Sequence, residues 1–130
     1  MPLQNLNHVL VLARDLEATR DFYVNLLGLT VGPRPPFKFP GYWLYLGGAA
    51  VVHLAQQGND RGNAGTGPID HIAFEATGLD EIVTRLEDQA IAVRHRKVPD
   101  LGLHQLFIQD PNGVTIELNF PAAEGAKLEI

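Results

Sequence analysis

The sequence contains no cysteine in its 130 residues, which excludes disulfides, thiolate metal sites and cysteine nucleophiles. A metal site in this chain would therefore use histidine and carboxylate ligands. The chain has no basic run, and 15 acidic against 10 basic side chains give a net charge of −5, so we expect binding neither to nucleic acid nor to a membrane. No apolar run approaches the roughly 18 residues of a membrane span, and the first residues lack a signal-peptide pattern. We expect a cytoplasmic protein.

Hydrophobic residues make up 45% of the chain, which is enough for a folded core and too many for a disordered chain. The length suits one domain, or two small halves that share a core. The sequence shows an internal duplication, because each half reads as one strand, one helix and three further strands. Within a single domain we predict a first module at 5–56, a linker at 57–68, a second module at 69–120 and a tail at 121–130.

The first module has clear local signals. "LNHVLVLA" (6–13) predicts a strand, and "RDLEATRDFYVNLLGL" (14–29) predicts a helix. Asp15 suits the N-cap of this helix, and Gly28 suits a left-handed C-terminal cap. "LTVG" predicts a short strand, whereas the four prolines of "PRPPFKFPG" (33–41) exclude a helix or an inner strand. A hairpin with a Gly-Gly turn completes the module.

The second module repeats the pattern. "IDHIAFEA" predicts its first strand, and "GLDEIVTRLEDQAI" predicts its helix. "IAVR" (91–94) predicts a short strand, and "HRKVPDLG" (95–102) predicts a loop. "LHQLFIQ" and "VTIELNF" predict a hairpin around "DPNG", which is a strong turn signal.

Four ionisable side chains occupy matching strand positions in the two modules: His8, His53, His71 and Glu117. The first and third are 63 residues apart, and the second and fourth are 64 apart. Side chains alternate between the faces of a strand, and the apolar neighbours of each polar residue suit the face that a helix covers. We therefore expect the four polar side chains to line one cavity. A lone strand histidine is usually structural, but recurrence at duplicated positions favours a metal site.

Three segments, "NHVLVLARDLEATRDFYVNLLGL", "DHIAFEA" and "QLFIQDPNGVTIELNF", resemble the vicinal oxygen chelate superfamily. This superfamily includes glyoxalase I, bleomycin-resistance proteins, fosfomycin-modifying thiol transferases, methylmalonyl-CoA epimerase and extradiol dioxygenases. The resemblance covers residues 5–120. It implies an α+β fold of two tandem βαβββ modules, each a mixed half-barrel sheet covered by one helix. It also implies a homodimer that binds a small-molecule substrate.

By this resemblance, His8, His71 and Glu117 match the metal-ligand positions of the family. They would form a two-histidine, one-carboxylate site with open positions for two adjacent substrate oxygens. The implied cofactor is a divalent metal ion, with Fe(II) favoured and nickel, zinc or manganese as alternatives. At the position of His53, glyoxalase I-like members have a carboxylate and the epimerase has a glutamine. Extradiol dioxygenases have an acid/base histidine at the matching position, and His53 resembles that residue. A histidine titrates near neutral pH, which suits proton transfer, and a role as a fourth ligand stays open.

Four residues are expected to contact the substrate. Phe37 and Trp43 would line an apolar pocket, and Gln105 and Phe107, which share one strand face, are expected on the cavity side. Phe107 stands where extradiol dioxygenases have a tyrosine. The sequence predicts a metal-dependent enzyme that acts on a small, apolar or aromatic molecule, and His53 favours extradiol ring-cleavage-type chemistry. The alternatives are a glyoxalase I-like lyase or isomerase and a metal-free binding protein similar to the bleomycin-resistance members.

Overall fold

The computed structural model describes residues 5–58, 69 and 71–128. The chain divides into two compact units, Met1–Asn63 and Ala64–Ile130. Most of the predicted linker, 57–68, lies outside the described residues. None of the helices in the described part of the chain has the length and apolar character needed to cross a membrane.

Residues 5–58 of the first unit form a four-stranded mixed sheet and one helical segment. Its elements are β1 (Val9–Ala13), helix α1 (Leu16–Asp21), β2 (Thr30–Gly32), β3 (Gly41–Leu46) and β4 (Ala49–Gln56). The strands lie in the order β1-β4-β3-β2, with β1 parallel to β4 and the other neighbours antiparallel. The predicted order of one strand, one helix and three strands is confirmed. The β3–β4 hairpin turns at Gly47, whose φ of +62° suits glycine.

The helix of the first unit begins as predicted, but its α-helical part is shorter. The Oδ1 atom of Asp15 caps it by accepting a hydrogen bond from the Ala18 N–H at 3.0 Å. The sequence predicted one helix over 14–29, whereas the α-helix gives way to a π-helical turn at Phe22–Leu26. Three large apolar side chains of this wider turn are buried together, a packing effect that a 3.6-residue period does not reveal. Gly28 follows with the predicted left-handed conformation, at a φ of +82°.

Alternate residues of the first sheet separate into a core face and an open face. Val52 and Leu54 on β4 are 0% and 1% exposed, whereas His53 between them is half-buried. Trp43 on β3 and Leu10 on β1 are the cross-strand partners of His53. The predicted alternation is therefore confirmed for this strand, with the apolar residues on the side that α1 covers.

The first strand begins later than the predicted 6–13. Its parallel ladder with β4 starts at the pair of Val9 and Val52, so the strand starts at Val9. His8 immediately precedes the strand and is exposed.

The second unit repeats the topology of the first. Its elements are β5 (His71–Glu75), helix α2 (Leu79–Asp88), β6 (Arg94–Val98), β7 (Leu103–Gln109) and β8 (Thr115–Pro121). The strand order is β5-β8-β7-β6, with β5 parallel to β8, which matches the first unit strand for strand. The predicted α+β fold of two tandem βαβββ modules is confirmed.

One strand of the second unit was predicted at the wrong residues. The sequence predicted a strand at 91–94 and a loop at 95–102, but β6 runs over Arg94–Val98. Its sequence, RHRKV, has little apolar character. Among the described strands, β6 lies at the edge of the sheet and pairs with β7. Charged side chains are well tolerated at a sheet edge.

The segment predicted as a tail, 121–130, includes a strand end and a turn among its described residues, 121–128. Strand β8 extends to Pro121, and a 3₁₀ turn follows at Ala122–Gly125. In this turn, Oε1 of Glu124 accepts hydrogen bonds from the N–H groups of Gly78 and Leu79, both at 2.9 Å. Glu124 thereby caps α2, whose own N-cap residue has no side chain that could do so.

Candidate functional site

Three aromatic rings stack on the open face of the first sheet. The His53 imidazole lies between the His8 imidazole, with ring centroids 3.8 Å apart and planes at 10°, and the Trp43 indole, at 4.0 Å and 14°. The strand register explains the stack, because Trp43 and His53 are direct cross-strand partners. The stack fixes the plane of the His53 ring and leaves its edge for hydrogen bonding or proton transfer.

One ring nitrogen of His53 makes a hydrogen bond to the backbone. Its Nε2 atom lies 3.1 Å from the carbonyl oxygen of Ala50. A carbonyl oxygen only accepts, so Nε2 donates and the neutral ring carries its lone pair on Nδ1. Burial lowers the pKa of His53, and the nearby His8 imidazole lowers it further, against a smaller opposing effect of the Ala50 carbonyl. His53 is therefore neutral near pH 7 and can accept a proton at Nδ1.

His8 is arranged as a metal ligand would be. Its Nδ1 atom donates to Oδ1 of Asn7 at 2.8 Å, which leaves the lone pair on Nε2. Histidines that bind metals commonly donate their other ring N–H to an oxygen in this way. Because the side chain is exposed, Nε2 is accessible.

Aromatic side chains of the proline-rich loop extend the stacked rings. The Phe37 ring centroid lies 6.4 Å from that of Trp43, and Phe37 stacks on Phe39 at 5.1 Å. The guanidinium of Arg34 lies 5.2 Å from each phenylalanine ring centroid and donates to the Phe39 carbonyl. These rings and the two histidines line a cavity of about 500 Å³ within the first unit, a volume typical of small-molecule sites.

The second sheet places His71 and Glu117 side by side on its open face. Nε2 of His71 lies 3.4 Å from Oε1 of Glu117. The two side chains come from the parallel neighbours β5 and β8, where His71 pairs with Thr115 and Glu117 pairs with Ala73. Two donor atoms about 2.1 Å from one ion stand about 3.4 Å apart at a tetrahedral angle, as in zinc sites, and about 3.0 Å apart at the octahedral angle of a two-histidine, one-carboxylate iron site. The pair therefore has the spacing of two ligands on one divalent metal ion.

The carboxamide of Asn119 holds the other oxygen of Glu117, and the carboxamide of Gln105 holds Asn119. Nδ2 of Asn119 donates to Oε2 of Glu117 at 2.8 Å, and Nε2 of Gln105 donates to Oδ1 of Asn119 at 3.0 Å. The Glu117 side chain is only 13% exposed. Asn119 was not among the residues predicted from the sequence. Its position two residues after Glu117, on the same strand face, is the signal that could have identified it.

The two units carry equivalent rows of residues across their open faces. The rows are Leu10, His53 and Trp43 in the first unit and Ala73, Glu117 and Phe107 in the second. Phe107 thus occupies the position of Trp43, and the guanidinium of Arg94 lies over its ring, 4.2 Å from the centroid. Gln105 and Phe107 share the open face of this sheet, because both pair with open-face residues of β8.

The four polar residues singled out by the sequence form two pairs, one in each unit. His8 stacks on His53, and His71 contacts Glu117. Among residues 5–58, 69 and 71–128, no group of three or more His, Asp or Glu side chains is arranged to hold a metal ion. Each unit by itself thus supplies a pair of candidate donors.

The family model of the Glyoxalase/Bleomycin resistance protein/Dioxygenase superfamily matches residues 5–118. "Glyoxylase I 4" of Arabidopsis thaliana is 31% identical over 122 residues, which cover 89% of this chain and 70% of that protein. The mitochondrial methylmalonyl-CoA epimerase of Bos taurus is 31% identical over 129 residues, which cover 89% and 74%. A solved glyoxylase/bleomycin resistance protein/dioxygenase domain from Frankia sp. EAN1pec has the same fold, with a TM-score of 0.77 at 19% identity over 92% of this chain and 93% of that chain. The chain belongs to the glyoxalase/bleomycin resistance protein/dioxygenase superfamily.

Proposed function

We propose that this protein is a divalent-metal-dependent enzyme that binds a small, apolar or aromatic molecule through two adjacent oxygen atoms. The observation that carries the proposal is the 3.4 Å separation of His71 Nε2 and Glu117 Oε1, which suits two ligands of one ion. Imidazole and carboxylate are also the donor types that remain for a divalent metal in a chain without cysteine.

His8 is the third ligand in this proposal, supplied by the same chain or by a second copy in a homodimer. Its Nε2 lone pair is accessible, and its Nδ1–H is already held by Asn7. Two histidines and one carboxylate leave coordination positions for substrate and are typical of non-heme Fe(II) enzymes. We therefore favour Fe(II) over nickel, zinc and manganese. When bound, such an ion acts as a Lewis acid that polarises the substrate oxygens.

His53 is the proton-transfer residue in this proposal. Its Nδ1 lone pair is available because Nε2 donates to Ala50, and its lowered pKa keeps it neutral and ready to accept a proton. Stacking between His8 and Trp43 holds the ring in one plane. His53 would take a proton from the bound substrate and later return it as an acid.

The aromatic loop supports an apolar or aromatic substrate. Phe37 and Trp43 line the cavity of the first unit, where an apolar or aromatic ligand would gain hydrophobic contacts. In the second unit, Phe107 adds a further ring beside Glu117. We propose these three residues as substrate contacts.

Extradiol-type ring cleavage is our first candidate reaction, because a histidine stands at position 53, where that class has its acid/base residue. Phe107 lacks the hydroxyl group that ring-cleavage enzymes have at this position. A glyoxalase I-like lyase or isomerase is the second candidate, favoured by the names of the two relatives at 31% identity. A metal-free ligand-binding protein is the third, and it predicts ligand binding without any bound ion.

The metal content of the purified protein tests the proposal. After anaerobic purification, we expect about one divalent ion per chain in the wild type and in Glu87→Gln, which removes an exposed carboxylate on α2. His71→Ala and Glu117→Gln are expected to lose the ion, whereas His53→Gln should keep it and lose turnover. Loss of the ion in His53→Gln would make His53 a fourth ligand. A wild-type protein that binds none of the four ions on reconstitution would overturn the enzyme proposal.

The identity of the ion then directs the activity assay. Iron leads to oxygen-uptake measurements with catechols, and nickel, zinc or manganese leads to lyase and isomerase assays. The homodimer belongs to the same proposal, and light scattering on the eluted protein tests it. A cytoplasmic location stays a prediction.

A further inference from the structure

Two carboxamides form a hydrogen-bonded chain that ends on the Glu117 carboxylate. The chain runs from Gln105 on β7 to Asn119 on β8 at 3.0 Å, and from Asn119 to Glu117 at 2.8 Å. We propose that Asn119 and Gln105 are positioning residues that orient Glu117 for metal binding, an inference that rests on the metal site proposed above. Gln105, expected from the sequence to contact the substrate, acts here through Asn119.

The chemistry of the groups gives this chain one direction. A carboxylate has no hydrogen to donate, so the Asn119 side chain turns its Nδ2–H₂ group toward Oε2 of Glu117. This leaves Oδ1 of Asn119 as an acceptor, and Nε2 of Gln105 donates to it. The arrangement engages Oε2 and leaves Oε1, the atom 3.4 Å from His71 Nε2, to face a metal ion.

The burial of Gln105 indicates what its amide contributes. The residue is 9% exposed, and its Oε1 atom is buried without a hydrogen-bond partner among the described residues. An unpaired buried amide oxygen is destabilising. The hydrogen bond that the Gln105 amide contributes is therefore the one that its Nε2–H donates to Asn119.

The first unit shows that the fold itself does not need this chain. At the equivalent cross-strand positions it has Gly41 and Ala55, which pair with each other as Gln105 and Asn119 do. In that unit a histidine takes the place of Glu117. The two carboxamides thus occur in the unit that has the carboxylate, as expected if they serve that side chain.

Metal affinity tests this role, measured by competition with a chromophoric chelator and with Zn²⁺ and Fe(II) as the probes. Asn119→Ala is expected to weaken binding about 10- to 100-fold, and Gln105→Leu is expected to weaken it less. The double variant should bind no more weakly than Asn119→Ala, because Gln105 acts through Asn119. Gln109→Leu removes an exposed carboxamide at the end of β7 and should bind like the wild type.

Urea unfolding of the metal-free variants separates positioning from a structural role. Gln105→Leu should unfold at the same or a higher urea concentration than the wild type, because it removes the unpaired oxygen. Wild-type affinity in Asn119→Ala, or an affinity loss that only follows a loss of metal-free stability, would overturn the inference while the metal site stands. A wild-type protein that takes up neither ion would instead overturn the metal site, and this role with it.

Discussion

Removing the carboxylate of Glu124 tests how the C-terminal 3₁₀ turn supports helix α2. Its Oε1 atom accepts hydrogen bonds from the N–H groups of Gly78 and Leu79, both at 2.9 Å. Loss of an N-cap costs typically about 1 kcal/mol and up to about 2, and a negative charge at a partly buried helix N-terminus lies at the upper end. For Glu124→Ala we therefore expect a free energy of unfolding lower by about 2 kcal/mol. The corresponding decrease in Tm is roughly 5–10 °C.

Urea unfolding followed by circular dichroism measures this decrease in the free energy of unfolding. Two further variants serve as comparisons. Glu124→Gln keeps an acceptor but loses the charge, so it should retain about half of the stabilisation. Glu87→Ala removes an exposed carboxylate from the last turn of the same helix, and should change the free energy of unfolding by less than about 0.5 kcal/mol. Hydrogen exchange at the Leu79 amide should speed up in Glu124→Ala, less in Glu124→Gln and not in Glu87→Ala. Wild-type unfolding and unchanged exchange in Glu124→Ala would refute the reasoning.

Three further changes have defined outcomes. Gly125→Ala should lower the free energy of unfolding by about 1–3 kcal/mol, because a Cβ atom there would overlap the buried His104 ring; an unchanged urea midpoint would contradict this. Burial lowers the pKa values of His95 and His104, so stability should be complete above the unfolded-state pKa of about 6.5 and fall as the pH drops toward the folded-state values. Urea unfolding at several pH values should show this dependence, and His104→Leu should flatten it. Trp43→Ala should move the NMR signals of the His53 ring protons downfield, because the indole stacked at 4.0 Å shields them; unchanged signals would contradict the stack.

The features that sequence analysis predicted correctly depend on short stretches of chain. Alternation of apolar and polar residues is a local property, so the core-facing side of Val52 and the open side of His53 followed from their order. The "DPNG" turn is local too. The Asp110 carboxylate accepts hydrogen bonds from the N–H groups of Asn112 and Val114, as a turn-forming aspartate does.

The features that were predicted wrongly depend on pairing and packing contacts, which local sequence patterns do not reveal. The residues of β6 form a strand because they pair with β7. Nothing in the sequence RHRKV itself favours an apolar face. The α-helix of the first unit gives way to a π-helical turn where large side chains pack together. Glu124 caps a helix that begins 45 residues earlier. Tertiary contacts of this kind override local propensity.

For the candidate site, too, some residues could be predicted from local sequence and others required the pairing of strands. The duplication identified the open-face histidines and Glu117, but the partners of Glu117 required the register of β7 against β8. That register follows from the "DPNG" turn, since pairing outward from Gln109 and Thr115 brings Gln105 opposite Asn119. A prediction that carried the turn geometry through the hairpin could have found the chain of carboxamides. The internal duplication thus predicts the fold. The equivalent positions that differ in chemistry, such as His53 and Glu117, are the ones to which the proposal gives different roles.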